Sequence, residues 1–190
     1  MKIKKGEAGY LKAKRNQLIL TTAIYVVIVA AILMIGFLKT KTRLNMFTFV
    51  AVLLCLPACR TIVNLIMVIP HHTIDPEIQQ EIASKTNCLT VIYDLVVTSE
   101  KAAMPIQSFV ISNNTVIGYT KGFKVNKSYA ADHIKAILEQ NGIEKVTVKV
   151  FRDYNSFLTR AEGMNSMASI DHSGTERAEQ IKSLILDISL

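Results

Sequence analysis

The chain has 190 residues, half of them hydrophobic and none of them Trp, with 22 Lys and Arg against 15 Asp and Glu. This length is sufficient for one soluble domain of about 100 to 150 residues, and it excludes a large multidomain enzyme. Residues 18–70 carry hardly any charge apart from a short basic island and Arg60, whereas the remainder has an ordinary globular composition. The sequence therefore predicts a membrane protein with a soluble domain.

The first predicted membrane span is Leu18–Leu38, which follows a basic arm at residues 1–17. The span has 21 residues without Asp, Glu, Lys, Arg or His. At about 1.5 Å per residue it crosses a hydrocarbon core of about 30 Å. A cleaved signal peptide needs a shorter apolar core followed by small residues, and the segment Phe37–Thr40 offers no such cleavage site. We therefore expect a retained transmembrane helix.

A second apolar run extends over residues 46–70, and the basic hinge at residues 39–45 separates it from the first. Together the two runs predict a helical hairpin. Pro57 lacks a backbone donor and is expected to kink the second helix. Arg60 and Asn64 are four residues apart and share a helix face. We expect Pro57, Arg60 and Asn64 to point toward protein.

Arg60 is the strongest single functional candidate, because an Arg inside a span costs at least about 2.5 kcal/mol on insertion scales. Neither span contains an acidic residue to pair with it. Its partner is therefore Asn64, a backbone carbonyl, a lipid or another chain. The alternative interpretation is that Arg60 snorkels toward a lipid headgroup and only fixes the depth of the helix.

Basic residues near the ends of the spans predict the orientation. Six lie in the arm, three lie in the hinge, and this asymmetry favours a cytoplasmic N-terminus. Two crossings then place the C-terminal domain in the cytoplasm as well. The arm residues are also predicted to bind anionic lipid headgroups; they are Lys2, Lys4, Lys5, Lys12, Lys14 and Arg15.

The positive charge belongs to the membrane segment. Residues 1–70 have a net charge of +9, whereas residues 71–190 have 12 basic and 14 acidic residues. The predicted soluble domain thus lacks the basic excess typical of nucleic-acid binding. The three cysteines, Cys55, Cys59 and Cys88, form neither a disulfide framework nor a zinc pattern.

Residues 71–190 are predicted to form a small mixed domain with the element order αβββαβαα, so the fold class is α+β. A short helix runs from about Asp75 to Lys85, and three strands follow within residues 88–120, the last two as a hairpin around Asn113-Asn114. The later elements are a helix at residues 128–140, a strand at 144–152, a helix at 154–161, a flexible loop at 163–174 and a closing helix at about 175–188.

The order αβββαβ over residues 75–152 resembles the core of restriction-endonuclease-like domains, especially the nuclease-related domains of membrane-anchored bacterial proteins. In that family an Asp on the second strand and a Glu-x-Lys on the third hold a divalent metal and orient the attacking water. Gln107 stands at the position of the Asp, and Gly118 and Thr120 stand at those of the Glu and Lys. The resemblance therefore implies a nuclease-like fold whose activity has been lost.

Other polar groups give weaker predictions. The pair His71-His72 with Asp75 resembles a metal site, but adjacent side chains project in different directions, and a polar turn beside the membrane is favoured. Asp171-His172-Ser173 falls in the predicted flexible loop, where a catalytic triplet would lack a rigid scaffold.

Two further ionisable residues, Asp94 and His133, lie within predicted elements. Asp94 lies among apolar strand residues, where a strand-edge or outward-facing position is favoured over a buried functional acid. His133 is expected on a solvated helix face.

No intact catalytic motif, metal site or cofactor site emerges from the sequence. The primary prediction is a noncatalytic, membrane-anchored scaffold or regulatory subunit that acts through a cytoplasmic protein-interaction domain and through self- or hetero-oligomerisation of its hairpin. The closing helix has an apolar side that covers its own sheet or meets another subunit. The alternatives are a membrane-anchored nuclease-like enzyme or nucleic-acid module with a degenerate active site, and an accessory subunit of a transporter or channel.

Overall fold

A computed structural model describes residues 3–40, 46–99, 102–122, 125–170 and 175–189. The chain divides into two compact units. One combines the N-terminal residues up to Leu11 with everything from His71 onward, and the other is Lys12–Pro70. The sequence-based division assigned residues 1–17 to a separate arm, whereas residues 3–11 belong to the same compact unit as the C-terminal domain.

Two apolar helices come first in the chain. Helix α1 spans Tyr10–Thr40 and helix α2 spans Met46–Val68. Both contain a segment long and apolar enough to cross a membrane, at Tyr10–Leu38 and Thr48–Val68. Helix α1 begins eight residues before the predicted span, and α2 continues through Pro57 as one helix. Most of the predicted hinge, residues 41–45, lies outside the described residues.

The remaining elements follow in the predicted order αβββαβαα, which confirms an α+β class. The helices are α3 (Pro76–Lys85), α4 (Lys127–Gln140), α5 (Tyr154–Ala168) and α6 (Thr175–Asp187). The strands are β1 (Thr90–Thr98), β2 (Ala103–Ser112), β3 (Thr115–Tyr119) and β4 (Thr147–Phe151).

The four strands form one mixed sheet in the order β1-β2-β3-β4. Strands β1, β2 and β3 pair antiparallel, and β2 and β3 form the predicted hairpin, in which Ser112 faces Thr115. Strand β4 pairs parallel to β3. A parallel pair requires a crossover connection, and α4 supplies it.

Helices cover both faces of the sheet. On one face, buried residues of α4 and α6 such as Ile134, Leu138, Ile181 and Ile185 join a large apolar cluster. On the other face, Ile82 of α3 and Phe157, Leu158, Ala161 and Met164 of α5 form a second cluster with Val110 and Ile117. The apolar side of α6 thus packs against its own sheet. This was one of the two interpretations of the sequence, the other being contact with another subunit.

Helix α5 corrects one sequence prediction. Residues 163–174 were expected to be a flexible loop, but α5 continues to Ala168 and buries Met164. Phe157, Ala161 and Met164 are spaced four and three residues apart, so they share a face of one continuous helix. The amide of Ser156 donates a hydrogen bond of 2.8 Å to the Asp153 carboxylate, which caps the first turn. Residues 171–174 lie outside the described residues.

Candidate functional site

The most unusual backbone position within a described strand is Asp94, near the middle of β1. Its φ is +55°, in the left-handed region, and its side chain is only 1% exposed. Asp tolerates this region better than most residues, because its short polar side chain can bond locally, but the conformation still costs about 1–2 kcal/mol. The expectation of a strand-edge or outward-facing Asp94 was therefore wrong.

The left-handed conformation of Asp94 interrupts the regular alternation of side chains along β1. Alternate residues of a regular strand point the same way, so Ile92 would share a face with Asp94 and Val96. Instead, Ile92, Leu95 and Val97 all pack in the cluster beneath α4 and α6. The alternation of side chains is also interrupted at the same level of β2. Regular alternation would place Gln107 on the same face as Phe109, but Ile106 joins Phe109 in that cluster instead. The local reversal directs the Asp94 carboxylate toward two other chain segments.

Those segments are the stretches that precede α1 and follow α2 in the sequence. The amide of Gly9 donates to Asp94 Oδ2 at 2.6 Å, and the amide of Ile74 donates to Oδ1 at 2.8 Å. The hydroxyl of Thr73 also bonds to this carboxyl group. Burial raises the pKa of Asp94 above its ordinary value, although these hydrogen bonds oppose the shift. One buried carboxyl group therefore joins β1 to residues 9 and 74.

Further contacts hold the N-terminal segment against the edge strand β1. The amide of Tyr93 donates to the carbonyl oxygen of Gly6 at 2.8 Å, and Lys5 Nζ donates to the carbonyl oxygen of Ser189 at 2.6 Å. Gly6 has a φ of +92°, and a Cβ at this position would lie 2.7 Å from Ile92 Cγ2. Only glycine fits such a place without a shift of its neighbours. The segment also covers backbone groups that an edge strand would otherwise expose.

The three positions matched to the nuclease-like motif have structural partners. Gln107 Oε1 accepts a hydrogen bond from the Lys121 amide at 2.6 Å, and Thr120 Oγ1 donates to the Pro105 carbonyl oxygen at 2.7 Å. Gly118 is buried where a Cβ would lie 3.2 Å from side-chain atoms of Ile106 and Phe109. None of these three residues carries a carboxylate or an amine that could act on a metal or a water molecule.

The remaining ionisable candidates near the start of α3 have the following surroundings. Lys121 Nζ lies 3.1 Å from the Asp75 carboxylate, and burial, followed by repulsion from His72, lowers the pKa of His71. Over the described ranges, no group of three or more His, Cys, Asp and Glu side chains could hold a metal ion.

His133 departs from the prediction of a fully solvated position. It is half-buried, stacked on the Tyr129 ring and 3.3 Å from the Thr98 carbonyl oxygen. The triplet at residues 171–173 lies outside the described residues.

A polar and aromatic cluster between α3 and α5 was not anticipated from the sequence. The Tyr154 hydroxyl donates to Glu81 at 2.7 Å, and its ring meets that of Tyr119 edge-on at 5.5 Å. Lys85 bridges Glu81 and Glu162 at 3.4 and 2.7 Å. Burial and the bonded carboxylate raise the pKa of Tyr154, so its hydroxyl remains a donor at neutral pH. The cluster fixes α3 on α5.

A groove of about 300 Å³ lies between the start of β1, the β2–β3 turn and the C-terminal half of α5. It presents the hydrogen-bonding groups of Asn113 and Asn114 and the side chain of Arg160, beside Met164 and Met167. No carboxylate or imidazole occurs among the described residues that line it.

The three residues of α2 singled out in the sequence lie on a different side from its buried alanines. Pro57 and Arg60 are exposed and Asn64 is half-buried, whereas Ala51 and Ala58 are buried. That Pro57, Arg60 and Asn64 point toward protein stays a prediction.

The basic arm residues have varied surroundings. Lys4 and Lys12 are exposed, Lys14 and Arg15 are half-buried, and Lys5 bonds to Ser189. Lys2 lies outside the described residues. Lipid binding by this set stays a prediction.

Comparison with known proteins identifies no relative: no family model, curated protein or solved structure matches the chain.

Proposed function

We propose that the protein is a noncatalytic scaffold or regulatory subunit that is anchored in a membrane by α1 and α2 and presents its α+β domain to the cytoplasm. The observation that carries this proposal is the position of Asp94. Its buried carboxylate binds the amides of Gly9 and Ile74, which flank the two apolar helices in the sequence. The residues that precede and follow the two apolar helices in the sequence are thereby joined to the same strand of the domain.

The apolar surface of both helices supports a membrane location. Large hydrophobic side chains are exposed along each helix, among them Val27, Met34, Leu38, Met46 and Leu56, with exposures of 65–79%. A continuous surface of this kind is unfavourable in water and suits the hydrocarbon of a bilayer. A core helix of a soluble protein would be mostly buried, which does not fit helices with so little buried surface.

The hydrogen bonds of the N-terminal segment support its retention. A signal peptidase that removed α1 would also remove Gly6 and Gly9, together with their bonds to Tyr93 and Asp94. Asp94 would then keep a left-handed conformation in a buried site with fewer donors around it. We expect the first helix to remain part of the mature protein and to act as a span.

Cysteine labelling in sealed membranes tests the anchor and its orientation. Cys55 and Cys59 are replaced by Ala, so that Cys88, which is exposed in the domain, is the remaining thiol. A membrane-impermeant maleimide is expected to label Cys88 in inverted vesicles but not in intact cells. As the matched control, a variant with Thr42→Cys and Cys88→Ala is expected to show the opposite pattern. Release of the protein by alkaline carbonate would contradict the proposal.

A nuclease-like module is the second candidate function, and the element order supports it. Helix α3, the strands β1 to β3, helix α4 and β4 follow one another as αβββαβ. Incubation of the purified full-length protein with Mg²⁺ or Mn²⁺ and labelled DNA or RNA tests this candidate. We expect no cleavage. Cleavage that requires the metal would favour the enzyme over the scaffold.

A further inference from the structure

Helix α2 has two faces of opposite character. Ala51 and Ala58, seven residues apart, are 0% and 7% exposed. Arg60 is nine residues from Ala51, and nine residues correspond to two and a half helical turns. Its side chain therefore leaves the helix on the side opposite the buried alanines, and it is exposed.

The face that carries Arg60 is a narrow polar stripe in an apolar helix. Asn64 lies one turn further along the same face and is half-buried, and the exposed Pro57 lies one turn before it. No carboxylate pairs with Arg60 within the described chain, and residues 18–70 contain no Asp or Glu. An arginine within a span requires a counter-charge or water, and this chain supplies no counter-charge in its spans.

The depth of Arg60 within α2 determines which anions can reach its guanidinium group. Val68 ends α2 eight residues later, so the Arg60 backbone lies about 12 Å inside that end at 1.5 Å per residue. Helical side chains lean toward the N-terminus of their helix, which directs Arg60 away from the nearer end. Met46 begins the helix 14 residues earlier, about 21 Å away. Lipid phosphates at either surface are thus poorly placed to reach the guanidinium group.

We propose that Arg60 binds the carboxylate of an Asp or Glu in a transmembrane helix of a different protein, with Asn64 as an additional hydrogen-bonding group. A second copy of this chain cannot supply that carboxylate, because its spans contain none. An Arg pairs with a carboxylate through two parallel hydrogen bonds, and in hydrocarbon such a pair neutralises both charges. This inference rests on the membrane anchor proposed above and specifies the partner of that anchor.

Synthetic transmembrane peptides test the pairing directly. Full-length protein is reconstituted in phosphatidylcholine vesicles with a fluorescent poly-Leu peptide that carries one Glu at a matching depth. Energy transfer between labels on the two measures association. We expect the Glu peptide to bind about tenfold more tightly than otherwise identical peptides with Gln or Leu. Equal affinities for the three peptides would overturn the inference.

Variants of α2 establish whether Arg60 is responsible. Arg60→Leu is expected to remove the preference for the Glu peptide, and Arg60→Glu is expected to create a preference for a Lys peptide. Cys59→Leu changes an exposed neighbour on another face and serves as the matched control, with the preference unchanged. An unchanged preference in Arg60→Leu would also overturn the inference.

Vesicle composition distinguishes a lipid counter-ion from a protein one. Suppose that adding phosphatidylglycerol to the vesicles stabilises the protein but not its Arg60→Leu variant, and that the Glu peptide has no effect. A lipid phosphate is then the partner of Arg60, and the inference is wrong. An alkaline wash of the same vesicles tests the anchor separately. Protein that is washed off contradicts the proposed function, whereas protein that is retained without a preference for the Glu peptide contradicts only the pairing.

Discussion

The two compact units differ in which side chains they expose and which they bury. Helices α1 and α2 expose large hydrophobic side chains along their lengths, whereas the described residues of the α+β domain expose such side chains at Ile3, Met167 and Ile170. The hairpin leaves its Arg60 exposed without a carboxylate, while the domain buries Asp94 and surrounds it with backbone donors. The comparison shows that the helical unit exposes an apolar surface, whereas the α+β unit buries most of its large apolar residues and supplies internal donors for its buried carboxyl group.

The largest effect is expected from removal of the Asp94 side chain. Asp94→Ala would leave the Gly9 and Ile74 amides without their acceptor. It would also place Ala in a left-handed backbone conformation that Asp tolerates better. Each buried unpaired donor costs about 1–3 kcal/mol, so the free energy of unfolding should fall by about 2–6 kcal/mol. Urea unfolding of the detergent-solubilised protein measures this. Asp132→Ala, on an exposed helix face, is the control, and an equal loss in both would contradict the role of Asp94.

Substitution by Ala is expected to destabilise the protein at Gly6 and to stabilise it at Gly163. Gly6→Ala introduces a Cβ at a φ of +92°, 2.7 Å from Ile92, and we expect a loss of about 1–3 kcal/mol. Gly163 lies in α5, and a Cβ there meets nothing within 4 Å. Gly163→Ala should therefore stabilise the protein by about 0.5–1 kcal/mol, as in any exposed helix interior. Thermal unfolding compares the two, and a destabilising Gly163→Ala would argue against a helix at this position.

The buried face of α2 should tolerate enlargement less well than its exposed face. Ala58→Leu adds volume where the side chain is 7% exposed, and overpacking of this kind costs about 1–3 kcal/mol. Cys59→Leu makes a similar addition at an exposed position and should be nearly neutral. Thermal stability of both variants in the same detergent gives the comparison. Equal destabilisation would contradict the assignment of the two faces.

The raised pKa of Asp94 predicts a specific dependence of stability on pH. The folded protein holds this proton more tightly than the unfolded chain does, so stability should fall as pH rises from 3.8, the ordinary value, to the raised pKa, and then level off. One such group contributes at most about 1.4 kcal/mol per pH unit. Asp94→Asn should remove this fall in unfolding experiments between pH 3.5 and 8. An identical pH profile in both proteins would contradict the shift.

The smallest effect is expected for the ion pairs that join α3 and α5. Lys85 contacts Glu81 and Glu162, but all three side chains are more than a third exposed. Exposed pairs contribute little to stability, so Lys85→Met should lower the free energy of unfolding only slightly, and this effect should decrease in high salt. Lys182→Met, which breaks a pair within α6, is the matched control. A loss as large as that of Asp94→Ala would mean that the cluster is central to the fold.

The regular parts of the fold were predictable because local pattern determines them. Alternation of Val146, Val148 and Val150 predicted β4, and the turn residues Asn113 and Asn114 predicted the hairpin of β2 and β3. The extension of α5 was missed, although Met164 continues the spacing of Phe157 and Ala161. That periodicity was available in the sequence and was outweighed by the nearby Gly and Ser residues.

The site around Asp94 could not be predicted in the same way. Its hydrogen bonds join residues 9, 74 and 94, and no periodic pattern connects positions so far apart in the chain. The left-handed φ of Asp94 and the close approach of Gly6 to Ile92 are tertiary properties. Gly6 and Gly9 in a basic segment gave a composition typical of a solvated arm. Long-range polar contacts of this kind override the local preference of the sequence.

The most direct test of the scaffold account is the native mass of the full-length protein extracted from membranes in mild detergent, together with its co-purifying proteins. We predict a defined assembly, either of several copies of the 21.1 kDa chain or of this chain with a second membrane protein at fixed stoichiometry. Arg60→Leu should lower the share of the mixed assembly. A monodisperse monomer without a stoichiometric partner would contradict the account.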